Sequence, residues 1–388
     1  MTPRKNLNID LTRRHWMVLA ASALTGCGGG GGATAASAPG TGGTGIYAQG
    51  SISGFGSVIL NGVKFDDTAA EVWLDGVRLR SSDLRLGMVA AIQGERGADL
   101  TLGTASHIDV WSIAQGLVTQ GAVTPGVAGQ FTVSGMTVQT DSHTVFDGVS
   151  APAQLTPGQR VAVWGLQTGA DGSTWNATRV AVVTGTPVVS SGLVSGTSAQ
   201  FFLNGWRLTG TLASTLSAGQ LARVQGTLLS PDSTDLTVTG VKSLESLASV
   251  QPEGEIEIEG FVTTPLLNGR FMLGAMTVDA STATYLPTTF VLTVGARVEV
   301  YGRWQSGVLK AREVEFEDEQ TLNEVEITAV IESFTSLADF VVRDQRCDAT
   351  NAIISHGTAT DVRLGVSVKV QGTKNGDVLM VTVLELED

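Results

Sequence analysis

The chain has 388 residues, and its 24 lysines and arginines against 37 aspartates and glutamates give a net charge of −13. The first 26 residues hold four of the basic residues and one acidic residue, so the remainder has a net charge of −16. This charge disfavours binding to nucleic-acid phosphates or to anionic lipid headgroups through basic residues. Charged residues make up only 16 %, 48 residues are glycine and 42 % are hydrophobic, a composition that excludes a charged disordered chain or a helix-rich bundle and suffices for several domains.

The N-terminus has the features of a bacterial export signal. Four basic residues precede an apolar run from Trp16 to Leu24, which is too short to span a bilayer as a helix, since that takes roughly 20 residues. The run continues into Leu24, Thr25, Gly26 and Cys27, which resembles the lipobox of bacterial lipoproteins. We therefore predict a signal peptide over 1–26 with this signal-peptidase motif, and a palmitate-bearing Cys27 that anchors the protein to a membrane.

The export route is open between two alternatives. Arg13 and Arg14 lie in a stretch that resembles a twin-arginine (Tat) signal, and an ordinary Sec leader that holds two arginines is the other interpretation. Gly28 follows the cysteine where an aspartate would argue for retention at the inner membrane. We expect the cell envelope as the location, and the outer membrane if the host has one.

Five consecutive glycines follow the cysteine, and small residues and proline continue up to Gly45. A phosphate-binding loop would need a preceding strand, a following helix and usually a lysine, none of which the pattern predicts. The segment 27–45 is therefore predicted to be the lipidated cysteine and a flexible tether, with an r.m.s. reach of about 20–25 Å.

The rest of the chain is an internal repeat. A signature of glycine, two residues, a small apolar residue, one residue, Ile or Val, one residue and a second glycine occurs five times, at intervals of 71, 61, 76 and 70 residues. The signatures are 87–94, 158–165, 219–226, 295–302 and 365–372. The variable intervals argue against a solenoid, whose stacking register they would disrupt.

Each repeat also contains an opening strand, a hairpin and a closing strand, all with period-two alternation. Asn61-Gly62 and Asn204-Gly205 are typical of two-residue hairpin turns, and the paired glycines fit strand ends that bend or approach another backbone. Five or six short strands suit a small closed barrel that removes its own sheet edges. We predict an all-β chain of five tandem barrels of OB-like or SH3-like size, with domains over 46–115, 116–185, 186–250, 251–320 and 321–388.

This unit resembles a bacterial domain of unknown function, family 5666, whose members are exported, often lipidated and often carry glycine-rich tethers. The resemblance is clearest for Gly50–Ala114 and Gly116–Val183, fair for the fourth and fifth copies and weakest for the third. It implies a small all-β barrel. The family supplies no catalytic residues.

Histidine and cysteine do not form a recognisable catalytic or metal-binding pattern. His107, His143 and His356 fall in different repeats and lack metal-ligand spacing, so we interpret them as structural or solvated. Cys347 is the one cysteine left once Cys27 is lipidated, and its strand neighbours indicate a buried small hydrophobe. We predict no catalytic residues, no cofactor and no metal site.

Two strands rich in glutamate are the strongest candidates for a metal site. Alternating carboxylates could supply the oxygen ligands of Ca²⁺, but the sequence pattern of a calcium-binding loop is missing. We favour a solvated strand face, with Arg297, Arg303 or Lys310 opposite the carboxylates across the sheet. The candidate calcium ligands are Glu255, Glu257, Glu259, Glu313, Glu315 and Glu317.

Three functions remain as hypotheses. The first is a non-enzymatic envelope lipoprotein whose barrels serve as spacers or bind another envelope component, an unknown protein or a polysaccharide. The second is a carbohydrate- or cell-wall-binding protein that uses Trp164 and Tyr301, since the alternation turns both side chains out of their barrels. The third is a hydrolase or metal-dependent enzyme. The acidic charge argues against nucleic acid as a partner.

Overall fold

The computed structural model describes residues 44–98, 100–121, 129–230, 233–244, 254–318 and 322–387. Across these ranges the chain is all-β, with small β-barrels in two sheets of 19 and 12 strands. The predicted signal peptide, Arg13, Arg14, the lipobox and Cys27 lie outside the described residues. Within them, no helix has the length and apolar character needed to cross a membrane.

The strands form five consecutive groups, which we number 1 to 5 in chain order. Strand group 1 comprises β1 (Thr44–Phe55), β2 (Val58–Leu60), β3 (Val63–Asp66), β4 (Glu71–Leu74), β5 (Val77–Leu79), β6 (Val89–Arg96) and β7 (Leu102–Val110). Strand group 2 comprises β8 (Ala114–Gln120), β9 (Gly129–Val133), β10 (Met136–Thr140), β11 (Val145–Asp147), β12 (Arg160–Gln167) and β13 (Thr174–Val182). Strand group 3 comprises β14 (Val188–Leu193), β15 (Ser195–Thr197), β16 (Gln200–Leu203), β17 (Trp206–Thr209), β18 (Leu221–Leu228) and β19 (Asp235–Ser243).

Strand group 4 comprises β20 (Glu255–Phe261), β21 (Arg270–Leu273), β22 (Met276–Asp279), β23 (Thr284–Leu286), β24 (Arg297–Gln305) and β25 (Val308–Phe316). Strand group 5 comprises β26 (Glu324–Ser336), β27 (Asp339–Val342), β28 (Gln345–Asp348), β29 (Ile353–Ser355), β30 (Ser367–Asn375) and β31 (Val378–Leu386). Short 3₁₀ turns precede the signature strand in groups 1, 2 and 3, at Ser81–Asp83, Pro152–Gln154 and Thr211–Thr215.

Strand group 1 shows how a barrel closes. Strand β1 pairs antiparallel with β2 and β6, β2 pairs with β3, and β6 pairs with β7. A parallel pairing of β3 with β7 completes the ring, and the extra hairpin β4–β5 attaches to β7. The same order recurs in group 5 through β26, β27, β28, β31 and β30. Alternate side chains of such a ring point into its core, as the period-two pattern predicted.

The two glycines of the signature have different physical roles. The first has φ between 75° and 88° in all five copies, a backbone conformation that residues other than glycine rarely adopt. The second follows a β-bulge in every copy, where an added Cβ would lie 2.0–2.5 Å from a carbonyl oxygen of the next strand. The prediction that these glycines mark a bend and a close backbone approach is therefore confirmed.

The hairpin turns also follow the sequence. Asn61-Gly62 and Asn204-Gly205 both have positive φ values, at 52° and 70° and at 49° and 88°, which is the type I′ geometry that these residues predicted. The corresponding turn in group 5 places Arg343 and Asp344 at φ values of 50° and 59°. That turn therefore carries two charged residues in a conformation that costs less with Asn and Gly.

The groups are joined to one another by strand pairing. Part of β1 pairs in parallel with β20 through Ile46–Gln49, and its last residues pair with β26. Groups 1, 4 and 5 thus share the larger sheet, while groups 2 and 3 share the smaller one and meet where Val189 pairs with Gln115. The expectation that each barrel removes its own edges is wrong for β1, because part of its free edge serves to hold a neighbouring group.

Hydrophobic packing follows the same connections. One core cluster combines residues of groups 1 and 5 and includes Ala162, Trp164, Leu166 and Ala181 of group 2. A second cluster fills group 4 and takes in Tyr47, Ala91 and Trp111. Groups 2 and 3 have a cluster each. The groups are therefore packed against one another, and neither a loose string nor a line of separate barrels describes them.

Candidate functional site: charged junctions and a cleft between strand groups

The acidic strand β20 of group 4 lies against group 1, which buries its outer face. Glu257 alternates with Ile256 and Ile258, so its side chain points out of the core of group 4, as predicted, but it is 0 % exposed. Arg96 of β6 donates from Nη2 to Glu257 Oε1 at 3.1 Å, and its side chain is also buried. The expectation of a solvated acidic face is wrong for this strand, because group 1 covers it.

Glu259 forms the second contact of this junction. Its Oε2 accepts hydrogen bonds from the Ser51 backbone N–H at 2.7 Å and from the Ser51 hydroxyl at 3.0 Å. Its Oε1 accepts from Arg297 Nε at 2.7 Å, and Arg297 Nη2 also donates to Ser51 Oγ. The predicted pairing of Arg297 with the acidic strand is confirmed, and it links groups 1 and 4 through buried charges.

The remaining calcium candidates take part in other contacts. Glu255 accepts from Arg312 Nη1 at 3.3 Å, Glu313 is half-buried, and Glu315 and Glu317 are buried. The expectation of a solvated face is therefore also wrong for Glu315 and Glu317 of the second acidic stretch. The predicted partner Lys310 instead binds Asp279, at 2.6 Å. Among the residues that the structure describes, no group of three or more histidine, cysteine, aspartate or glutamate side chains could hold a metal ion.

The two aromatic side chains proposed for carbohydrate binding do not form an exposed face. Trp164 points out of its own strand group but is only 4 % exposed, because it packs in the core cluster shared by groups 1 and 5. Tyr301 is half-buried, with the Arg96 guanidinium 5.6 Å from its ring centroid. Trp164 therefore points outward as predicted, but it is buried by neighbouring groups and offers no exposed face to a carbohydrate.

A second charged junction joins groups 1 and 3. Arg223 of β18 donates from Nε to the Ser112 carbonyl at 2.6 Å and forms an ion pair with Asp75. Asp75 also accepts from the Ser112 backbone N–H and hydroxyl at 3.0 and 2.8 Å. Nearby, Lys242 lies 3.2 Å from the centroid of the Trp111 ring. Burial lowers the pKa of both Arg223 and Lys242, since it disfavours their charged forms.

An open cleft of about 380 Å³ lies where groups 1, 2 and 5 meet. Its lining comes from the segment before β6, from β11 and the loop after it, from β13, from the turn between β27 and β28 with the start of β28, and from the C-terminal end of β30 and the turn that follows. Cations outnumber carboxylates in this lining. The cations are Arg85, Arg179, Arg343, Arg346 and Lys374, and the carboxylates are Asp147, Asp344 and Asp377.

Two donors in the cleft have unmet hydrogen-bonding capacity. Lys374 Nζ and Arg179 Nε are buried, and neither has a hydrogen-bond partner among the described residues. Burial lowers the pKa of Lys374 to about 8, and the positive charge of Arg179 adds to this shift, while Asp141 and Asp377 oppose it. The junction of groups 1 and 4 also has a buried nitrogen without a partner, Arg96 Nη1, but that guanidinium is paired with Glu257 through Nη2. Lys374 has a single nitrogen, so its whole charge is left without a hydrogen-bond partner in the described ranges, which needs an explanation.

The other cations of the cleft are held in place by their neighbours. Arg179 also pairs with Asp147 and donates from Nη1 to the Leu86 carbonyl at 3.2 Å, while Arg85 pairs with Asp344. The Arg343 guanidinium lies 3.8 Å from the centroid of the Phe55 ring and donates to backbone carbonyls of group 1. These contacts fix the cationic side of the cleft before any ligand arrives.

The histidines and Cys347 lie away from any shared site. His107 and His143 are half-buried in groups 1 and 2, with His143 Nδ1 3.0 Å from Asn323 Oδ1, and His356 is exposed beside Glu385. Cys347 is 0 % exposed in the core of group 5, and burial raises the pKa of its thiol to about 12. The prediction that Cys347 is a buried small hydrophobe is confirmed.

Sequence reasoning missed the cleft and the junction of Asp75 with Arg223, since their residues are far apart in the chain. One signal for the cleft was present. The hairpin turn of the fifth repeat carries Arg343-Asp344 where the first and third repeats carry Asn-Gly. A residue type that strains a turn is a pointer to function.

The family comparison supports the repeat on which this geometry is built. The family model for a domain of unknown function (DUF5666) matches residues 115–181 and 253–315, which span strand groups 2 and 4. No curated protein matches the chain. The resemblance predicted from the signature is therefore confirmed for these two regions, each of which matches the DUF5666 family model.

Proposed function

We propose that this chain is a lipid-anchored, non-enzymatic protein of the bacterial cell envelope that holds an envelope component in the clefts between its packed barrels. The observation that carries the proposal is the contact of strand group 1 with groups 4 and 5 through strand pairing and buried ion pairs. Packed strand groups form clefts at their junctions, whereas a spacer would need the groups to be arranged one after another along its length. The binding role is therefore favoured over the spacer role.

The proposal includes five barrel domains over 46–115, 116–185, 186–250, 251–320 and 321–388. Three observations support this division: the recurring ring of strand pairings, the five signatures with the same glycine conformations, and the family match to groups 2 and 4. A signal peptide over 1–26 and a tether over 27–45 complete the chain. Export through Tat or Sec and attachment to the outer membrane, if the host has one, follow from the leader.

The non-enzymatic part rests on the placement of reactive side chains. A nucleophile and its base must lie within hydrogen-bond reach, at about 2.6–3.2 Å. Cys347 is enclosed in a core with its thiol pKa raised, and the described histidines belong to three different strand groups. This placement gives the described residues no cysteine–histidine pair suited to nucleophilic catalysis.

Anchoring is tested by replacing the predicted lipidation site. Cys27→Ala should abolish the incorporation of labelled palmitate and release the protein from membranes, because no other thiol follows the leader in the lipobox position. Cys347→Ala is the matched control, and it should keep both the label and the membrane association. Continued membrane association of the Cys27→Ala protein would contradict the anchoring role.

The binding role is tested by crosslinking the tagged protein in intact cells and identifying what is captured. We expect one envelope component, a protein or a polysaccharide, to be enriched with photocrosslinkers placed around the cleft and absent with photocrosslinkers on the exposed side of group 3. Equal capture at both positions would contradict a specific binding role.

A further inference from the structure

We propose that the cleft between strand groups 1, 2 and 5 binds a small phosphate-bearing ligand. This inference rests on the binding role proposed above and assigns that role a ligand class. The charge of the cleft, its unsatisfied donors, its fixed geometry and its size all indicate such a ligand.

The charge of the cleft is opposite to that of the protein. Five cationic side chains and three carboxylates line it, and Asp339, outside the lining, is paired with Arg346, so these residues together have a net charge of +1, whereas the chain as a whole has a net charge of −13. Two of the carboxylates, Asp147 and Asp344, are already paired with Arg179 and Arg85. Within the described residues, Arg343 and Lys374 have no carboxylate at ion-pair distance. An anion is therefore the ligand that the cleft lacks.

Lys374 is the clearest sign of a missing ligand. Lys374 lines the cleft and a smaller cavity next to it, and its ammonium group is buried without a hydrogen-bond partner in the described part of the chain. Arg179 Nε, on another residue of the cleft lining, is also buried without a partner. Both groups can only donate hydrogen bonds, so an acceptor must satisfy them. A phosphate offers three or more strong acceptor oxygens and up to two negative charges, enough for both donors at once.

Arg343 contributes a guanidinium that is already held in position. The turn that carries it takes a positive φ at both Arg343 and Asp344, where Asn-Gly would suffice, and stacking on Phe55 restrains the side chain. Backbone strain of this kind persists where the surroundings stabilise it and clusters at binding sites. Its Nε and Nη2 already donate to the Leu84 and Ser81 carbonyls, so the remaining N–H groups are the ones that an oxyanion can use. A guanidinium fixed in this way loses little conformational freedom on binding.

The volume indicates a ligand larger than phosphate alone. A cleft of about 380 Å³ lies in the lower part of the range in which proteins bind small molecules, roughly 300–1,000 Å³. Polar groups such as Gln154 and Ser150 also line it and can bind hydroxyl groups. A sugar phosphate or the phosphodiester headgroup of a lipid fits these dimensions and this polarity.

Isothermal titration calorimetry on the full chain in detergent at pH 7 tests the proposal. The probes are inorganic phosphate, glucose 6-phosphate, glucose, glucuronate and glycerophosphoglycerol, the deacylated headgroup of phosphatidylglycerol. We expect binding of inorganic phosphate, tighter binding of one phosphate ester, and no binding of glucose. The tighter ester identifies the source, glucose 6-phosphate for a soluble ligand and glycerophosphoglycerol for a lipid.

Two cleft variants and one control locate the site. Lys374→Met and Arg343→Asn should each weaken the phosphate ester at least tenfold, and the second restores the residue that occupies the same turn position in groups 1 and 3. Lys369→Met, on the same strand but paired with Glu385 outside the cleft, should stay within twofold of the unmodified protein.

Three results would overturn the proposal: no binding of any phosphate probe, glucuronate binding as tightly as the esters, or unchanged affinity in both cleft variants. Each of these can occur while Cys27→Ala still releases the protein and crosslinking still captures a partner. In that case the ligand class is wrong and the proposed anchored binding protein stands. If the protein binds phosphate but Cys27→Ala does not release it from membranes, the ligand class stands and the proposed anchoring is wrong.

Discussion

Among the charged contacts of strand group 1 with its neighbours, the junction with group 4 and the cleft with groups 2 and 5 are built differently. At the junction with group 4, the buried guanidinium groups of Arg96 and Arg297 each face a buried carboxylate. At the cleft with groups 2 and 5, cations outnumber carboxylates, and Lys374 Nζ is buried without a partner in the described ranges. Paired charges fix how two groups pack, whereas an excess of one sign leaves a place for a ligand. Substitutions at either place should therefore change stability in different ways.

Arg96→Met should cause the largest loss of stability. It leaves Glu257 buried opposite an uncharged side chain, and removing one partner of a buried ion pair costs about 3–5 kcal/mol. The measurement is the shift of the urea unfolding midpoint. Arg207→Met is the matched control, since Arg207 pairs with Asp235 on the surface of group 3, where such pairs contribute about 0–1 kcal/mol.

The double variant Arg96→Met with Glu257→Leu separates charge from packing. Replacing both members of a buried pair with apolar side chains is often neutral, so we expect most of the lost stability to return. If the double variant is as unstable as Arg96→Met alone, the junction depends on the shape of these side chains and the comparison of paired with unpaired charge does not hold.

Lys374→Met should change stability in the opposite direction and make the protein more stable. It removes a buried ammonium without a hydrogen-bond partner among the described residues, and such a group costs about 1–3 kcal/mol in the folded state. We therefore expect a higher unfolding midpoint in the absence of ligand, in the same variant that loses phosphate binding. Lys369→Met should leave the midpoint within about 0.5 kcal/mol. A destabilised Lys374→Met protein would show that the lysine supports the fold.

The barrels were predictable because their requirements are local. A positive φ at Gly87 and its equivalents, and a bulge at Gly94 and its equivalents, admit glycine at a fixed spacing, so the requirement is visible as a repeat. Alternation along each strand then identifies which side chains enter a barrel. These rules do not depend on how the barrels are arranged.

The junctions were not predictable because alternation does not say what lies outside a barrel. Glu257 and Trp164 both point out of their own strand groups, as predicted, yet both are buried by a neighbouring group. Lys374 gives no stronger signal, since a lysine next to a turn is typical of an exposed site. Which outer faces meet depends on pairings such as that of β1 with β20, between residues about 200 positions apart.

The pH dependence of stability gives the smallest and most specific test. Burial, with Arg179 beside it, lowers the pKa of Lys374 from its usual 10.5 to about 8, against the opposing charges of Asp141 and Asp377. Between these two pH values the unfolded chain binds more protons than the folded one, so stability rises with pH there, and the full cost of the buried charge applies below about pH 8. We expect the unfolding free energy of the unmodified protein, measured relative to that of Lys374→Met, to rise by about 1 kcal/mol between pH 7 and pH 9.

The measurement is the difference between the two urea midpoints at each pH, which cancels every other titrating group. Lys369→Met, measured in the same way, should show a constant difference across the range. A constant difference for Lys374→Met as well would mean that its ammonium keeps an ordinary pKa and is not deprived of solvent. In that case the cleft would lack the unsatisfied charge that distinguishes it from the junction of groups 1 and 4.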